Sequence, residues 1–273
     1  MTSNPTAAPN SESAGAVRLH AEGPVRWLAF DRPAQHNALS LGMIEAARAA
    51  VRNFCADEEA RVLVLAGSGD RAFVSGADIA EFEKERDAAG TERRFAALGA
   101  EMFEAVADCP KPTIAMIHGY CFGGGVALAA ACDLRYASDD AQFSIPAARL
   151  GLAYSLTFAK WIADLVGPAA AREILYTGRR YDSAEAERIG LVNRVYPKTA
   201  LRTEVADIAD TIAGNAPLSV RATKATIRYH SGDTADGGRQ ACEDAIAACS
   251  ESRDFAEGRA AFAEKRRPVF EGR

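Results

Sequence analysis

The spacing of apolar positions changes character along this chain. Val17–His20 and Val25–Phe30 (VRWLAF) are short apolar stretches separated by Glu22-Gly23-Pro24, so they read as two strands joined by a turn. Arg61–Ala66 (RVLVLA) and Pro112–Ile117 (PTIAMI) are continuous apolar runs. A strand with no polar face is covered on both sides, as in parallel sheets. Another strand is expected at Leu134–Ala137. Helical patterns fall between them, at about 41–54, 82–106 and 125–132. This alternation of strand and helix predicts an α/β fold built of stacked units.

Beyond Thr157 the strand signal nearly vanishes. Helical periods occupy 157–165, 168–177, 183–189, 199–213, 217–230 and 237–266. Asp182 and Glu185 form a D-x-x-E capping box, and Gly190 supplies the stop. In the last segment Phe255 and Phe262 recur at i, i+7, beside Ala256, Ala260 and Ala263. That apolar stripe predicts packing on a neighbour, hence an oligomer. The organisation expected is a disordered tail at 1–16, a strand-rich core at 17–200 and a helical region at 201–273.

Composition narrows the function classes. The 273 residues are 48% hydrophobic and 25% charged, an ordinary globular balance. Lys+Arg total 32 against 37 Asp+Glu, a net charge of −5 with no basic block, which argues against nucleic acid as a partner. No apolar run approaches the ~18 residues of a membrane span, so no membrane partner is expected. The first residues (MTSNPTAAPNSESAGA) have no basic region, apolar stretch or Arg, so neither a secretory nor a mitochondrial leader is read there. Six cysteines form no CxxC and sit near no histidine at ligand spacing. They read as buried, reduced thiols, which fits a cytoplasmic location. No metal constellation is visible.

Candidate chemistry lies in three glycine-bearing turns. Gly67-Ser68-Gly69-Asp70-Arg71-Ala72 matches G-x-G-x-x-G/A, but extended chain follows where a dinucleotide site needs a helix. Gly119-Tyr120-Cys121-Phe122-Gly123-Gly124-Gly125 joins a buried strand to a helix without the Lys-Ser/Thr of a P-loop. Glycines at a helix start either permit close strand–helix packing or let a ligand reach unpaired N–H groups backed by the helix dipole. The second use suits a developing oxyanion. Ser75-Gly76-Ala77-Asp78-Ile79 is a third turn. Asp78 and Glu81 form a capping box there, leaving the Ala77 N–H for a ligand. Two such amides from two turns would clamp one oxygen.

These segments, in this order, resemble the crotonase superfamily, also called the enoyl-CoA hydratase/isomerase family. The resemblance rests on Arg32-Pro33 with Asn37-Ala38-Leu39, on Ala72 to Ile79, and on His118-Gly119 with Gly123-Gly124-Gly125 and Cys132-Asp133-Leu134. It continues through Ala141-Gln142-Phe143 with Pro146, Gly151-Leu152, Leu175 to Gly178 and Ala186 to Asn193, and ends at Glu257-Gly258, Ala261-Phe262 and Lys265-Arg266. It implies a spiral of ββα units, a C-terminal helical trimerisation region, and a homotrimer or dimer of trimers. It also implies an acyl-CoA thioester as substrate, with CoA as part of that substrate and no separate cofactor. The thioester enolate would rest on the backbone N–H groups of Ala77 and Gly124. By the same motif positions, Ala34, His36, Ser75, Asp78, Ile79 and Gly123 would surround CoA or the acyl group. Lys265 would reach a CoA phosphate across a subunit boundary, or else be a solvated helix-end lysine. His118 reads as structural.

The departures from the family bear on the reaction. Family hydratases carry two glutamates that position and activate water, and here those positions are Ala127 and Ala147. The acids of family isomerases, near Ser155, are missing too. A second resemblance, to the methylmalonyl-CoA decarboxylase branch, covers Pro146 to Leu156 with one extra residue. It places Tyr154 at that branch's active-site tyrosine, or else Tyr154 is a core aromatic. That branch has histidine where this chain has Ala77. Three readings follow: a hydratase/isomerase-type enzyme, a decarboxylase, or an acyl-CoA-binding protein without catalysis.

Overall fold

The structure is a computed structural model that describes residues 15–78, 88–232 and 237–273. Its strands are β1 (Ala16–Glu22), β2 (Val25–Asp31), β3 (Val62–Gly67), β4 (Ala72–Val74), β5 (Thr113–Ile117), β6 (Tyr120–Phe122), β7 (Leu134–Ser138), β8 (Gln142–Ser144), β9 (Tyr181–Asp182) and β10 (Arg194–Tyr196). One sheet has the order β1-β2-β3-β5-β7-β10, parallel except for the β1–β2 hairpin. A smaller sheet has the order β4-β6-β8-β9, with β9 antiparallel.

The helices that follow the paired strands are α2 (Ala88–Ala107), α3 (Gly124–Ala131) and α4 (Leu156–Thr177), after α1 (Leu41–Ala56) at the start. The repeating unit is therefore long strand, short strand, helix: β3-β4-α2, β5-β6-α3 and β7-β8-α4. The turn between a long and a short strand moves the chain from the large sheet to the small one. This is the expected spiral of ββα units.

The central strands are buried on both faces, which explains their unbroken apolar runs. Leu63, Leu65, Ala115 and Ile117 face α1, α2 and α3 in the main core. Val62, Val64 and Ile114 face the opposite way, onto Leu201, Val205, Ala209 and Ala213 of α6 (Lys198–Ala213). Their spacing of four residues places that apolar set along one side of the helix. The boundary expected at 200/201 therefore falls inside α6, which is part of the core. Between these layers α5 (Ser183–Arg188) begins with the expected capping box: Glu185 N–H donates to Asp182 Oδ1 at 2.7 Å, and Asp182 N–H to Glu185 Oε2 at 3.3 Å.

Other readings are corrected. The short strands β8, β9 and β10 fall where no element is expected, and β6 inside a glycine-bearing turn, because two or three residues show no period. The single helix expected over 237–266 is two, α8 (Gly238–Glu251) and α9 (Arg253–Glu264), after α7 (Pro217–His230). Extended backbone at Ser252 divides them, and its hydroxyl accepts from Phe255 N–H at 3.0 Å. The α9 stripe is turned outward: Phe262 is 87% exposed, whereas Ala261 and Asp254 are buried. Residues 1–14 of the tail expected at 1–16 and the first part of the helix expected over 82–106 lie outside the described residues, and Ala16, the last residue of that expected tail, already begins β1. Among the described residues no helix is long and apolar enough to cross a membrane.

Candidate active site

A loop between β2 and α1 forms the first wall. Asn37 is fully buried with a left-handed backbone (φ 55°). Its Nδ2 donates to Ser68 O at 2.9 Å and Ala72 O at 2.7 Å, while its Oδ1 accepts from Arg32 N–H at 2.9 Å. One side chain thus ties three segments. Arg32 also pairs with Asp78 at 2.6 Å. Asp78 is therefore engaged with the loop, and its expected capping partner Glu81, like Ile79, lies outside the described residues. The loop is laced to the Ser75–Asp78 turn by Leu39 N–H to Gly76 O (2.8 Å), Asp78 N–H to Leu39 O (3.0 Å) and Ser75 N–H to His36 O (3.2 Å).

Among the described residues this lacing leaves the Ala77 N–H without an acceptor. The Gly124 N–H, at the first turn of α3, has none either, as helix starts require. The two turns touch: a Cβ built on Gly76 would lie 3.9 Å from Gly124 N and 3.3 Å from Phe122 O. The turns that carry the two amides are thus in contact, at the positive end of α3.

The three consecutive glycines divide their tasks. Gly123 has φ 52° and ψ −112°, a backbone that only glycine adopts without strain, and donates to Ser144 O at 2.8 Å. Gly125 is packed so tightly that a methyl would overlap the Val74 carbonyl oxygen of β4. At Gly124 the nearest atoms to an added Cβ are Leu39 Cδ1 and Phe103 Cζ, both at 3.7 Å, which is ordinary contact. So the close-packing reading of this run applies to Gly125, while Gly124 has only ordinary contacts. Gly125→Ala is expected to destabilise the fold by about 3 kcal/mol, the upper range for overpacking. Denaturant unfolding beside Gly124→Ala, which should cost far less, checks this.

Tyr154 lies on the opposite side, its hydroxyl 3.9 Å from the Cβ position of Gly123. It packs edge-on to Phe158 (5.9 Å), which in turn meets Phe103 (5.1 Å) and Trp161 (5.5 Å). Burial raises the pKa of the Tyr154 hydroxyl, so at neutral pH it is a neutral donor and not a base. Leu39, Phe103 and Phe158 also stand beside these turns; sequence reasoning gave none of them a role, although Leu39 belongs to a segment that carries the resemblance. Ala127 is buried and Ala147 half-buried, both against the main core.

A second tie was also missed. Lys198 Nζ donates to Asp140 Oδ2 at 2.7 Å and to Asp70 O at 2.5 Å, and Gly119 N–H donates to Asp140 Oδ1 at 3.3 Å. Lys198 therefore fastens two of the glycine turns from α6. His118 beside them is 7% exposed, and burial lowers its pKa, which keeps the ring neutral. His36 rests edge-on against Tyr120 at 5.6 Å, and Ser75 Oγ is 3.5 Å from Gln35 O. Ala34 is exposed on the short Pro33–Gln35 turn. Lys265 is exposed at the end of α9, with a left-handed backbone, and no contact joins it to these turns among the described residues. No group of three or more His, Cys, Asp or Glu placed to hold a metal occurs among them.

The architecture and the paired amides define a class, and comparison with known proteins bears on it. The family model described as enoyl-CoA hydratase/isomerase matches residues 21–273. The chain is 36% identical over 254 residues to the crotonyl-CoA hydratase of Syntrophomonas wolfei, covering 93% of this chain and 97% of that one. It is 34% identical over 255 residues to the carnitinyl-CoA dehydratase of Citrobacter koseri, covering 92% and 96%. The solved structure of an enoyl-CoA hydratase/carnithine racemase from Magnetospirillum magneticum aligns with a TM-score of 0.88 and 36% identity, over 94% of this chain and 96% of that one. The chain belongs to the enoyl-CoA hydratase/isomerase family of the crotonase superfamily.

Proposed function

We propose that this protein acts on acyl-CoA thioesters by stabilising an enolate between the N–H groups of Ala77 and Gly124. The observation that carries this is the contact of two turns whose amides have no acceptor among the described residues. The thioester oxygen gains negative charge as the enolate forms, and fixed donors in a largely apolar site lower that barrier without reorganising. The names of the relatives, crotonyl-CoA hydratase and carnitinyl-CoA dehydratase, support this substrate class. CoA enters as part of the substrate, and no other cofactor is required. The outward stripe of Phe255 and Phe262 supports self-association, as a trimer or a dimer of trimers. Calorimetry with butyryl-CoA tests the reading: heat and thermal protection are expected at micromolar to millimolar ligand. Neither signal at millimolar ligand overturns it.

A decarboxylase is the second reading, favoured by the position of the Tyr154 hydroxyl beside the Gly123 turn. Loss of carbon dioxide from a malonyl-type thioester leaves its electron pair as the enolate and needs no base. That suits a site with alanine at 127 and 147. Tyr154 would donate to the departing carboxylate and hold its bond in line with the carbonyl π system. Tyr154→Phe is expected to slow decarboxylation of malonyl-CoA and methylmalonyl-CoA at least tenfold while the unfolding midpoint changes little. Release of carbon dioxide by neither form ends this reading.

A further inference from the structure

Cys55 and Cys109 form the closest thiol pair recorded among the described residues, with Sγ atoms 3.3 Å apart and no bond between them. Cys55 is half-buried near the end of α1, and Cys109 is buried just past α2. We propose that this pair is an oxidisable dithiol, a modification site that reacts with hydrogen peroxide to give an intramolecular disulfide.

The surroundings favour the thiolate at Cys55 and a resolving thiol at Cys109. Lys111 Nζ sits on the last carbonyls of α1, 3.0 Å from Phe54 O and 2.5 Å from Asp57 O, which offsets the negative end of that helix. Lys224 Nζ lies beside it, 3.1 Å from Lys111 O and 2.8 Å from Asp133. The S–H of Cys109 and these ammonium groups hold the Cys55 thiol down to about 7, while Cys109 is pushed up. Cys55 opens on a surface groove with Arg52, Glu104 and Asp108, so a small oxidant reaches it. Asp108 is neutralised by Arg228 at 2.7 Å. The other cysteines differ in setting: Cys121, Cys132 and Cys242 are buried, with burial pushing Cys121 and Cys132 up, and Cys249 rests on Ala245 O at 3.2 Å.

The reaction balances. The Cys55 thiolate attacks one peroxide oxygen, the O–O bond breaks, and the departing hydroxide takes a proton to become water. Cys109 then loses its proton, its sulfur attacks the Cys55 sulfenic sulfur, and the S–O bond breaks to release a second water. Two thiols lose two electrons and one peroxide gains them. The sulfurs close from 3.3 Å to the ~2.05 Å of a disulfide, a shift that small side-chain rotations supply. The bond would fasten the far ends of α1 and α2. α1 starts just after Leu39 and α2 carries Phe103, both of which touch the Gly124 position.

The test is a short exposure of the folded, reduced full-length protein to a small excess of hydrogen peroxide, followed by intact mass and non-reducing peptide mapping. The expected result is loss of two hydrogens, a fall from six free thiols to four, and a cross-linked peptide pair containing Cys55 and Cys109. Cys109→Ser should stop at a sulfenic acid on Cys55, trapped by dimedone, with unchanged circular dichroism. Cys55 should oxidise at least tenfold faster than Cys249. A wild-type map with no Cys55–Cys109 peptide, or one in which Cys249 oxidises first, overturns the proposal without any variant.

Discussion

Gly124→Pro should abolish turnover of acyl-CoA substrates, by a factor of ~10²–10³, while the protein still folds. Proline has no N–H, so the oxyanion would keep only Ala77 as donor. The helix tolerates the change, because Gly124 is the first residue of α3, where proline's fixed φ suits the helix. Gly124→Ala is the matched control. It keeps the N–H, and the atoms nearest its methyl would be those of Leu39, Phe103 and Gly76, at an ordinary 3.7–3.9 Å. Initial rates of both variants, with circular dichroism to show that they fold, make the comparison. A folded Gly124→Pro protein with full activity would remove that amide from the site.

The second large effect concerns water. Hydration of crotonyl-CoA is expected to run at least ~10²-fold slower than in a relative bearing both glutamates, the usual magnitude for general acid–base help. Ala127 and Ala147 cannot accept a proton. Among the described residues, the atoms nearest Gly124 belong to Leu39, Phe103 and Gly76, with Tyr154 beside Gly123; none of these carries a carboxylate, and Asp78 beside Ala77 is held by Arg32. Tyr154 does not replace the missing base, because its hydroxyl stays protonated. Loss of the enoyl absorbance over time measures the rate. Hydration at the full rate of a glutamate-bearing relative would show that another group activates water. On the proposed reading, enolate stabilisation and water activation are separate tasks: backbone N–H groups supply the first, whereas the second needs a proton-transferring side chain, and alanine at 127 and 147 supplies none.

Much of the fold was legible along the chain because its central strands are buried on both faces. RVLVLA and PTIAMI carry that burial in their composition, and the Asp182–Glu185 box sets the start of a short helix within four residues. The short strands were not legible. Tyr120–Phe122 and Arg194–Tyr196 become strands only because a neighbouring strand supplies hydrogen bonds, and three residues carry no readable period. The C-terminal break was hidden for a related reason. Ser252 is an ordinary helix residue by propensity, and only its extended backbone makes it a cap.

The candidate site divides along the same line. By itself the sequence determined which backbone would be free. Glycines at a strand–helix turn and the Ser75–Asp78 turn follow from local conformational preference and from the orphan donors of helix ends. The alanines at 127 and 147 were equally plain. Tertiary structure alone decided that the two turns meet and that Gly124 has ordinary contacts while Gly125 presses on Val74. It also decided that Asn37, Arg32 and Lys198 fasten the segments together. Those facts depend on contacts between residues tens of positions apart, and no local propensity encodes such distances. They arise when the two sheets close and bury the loops between them.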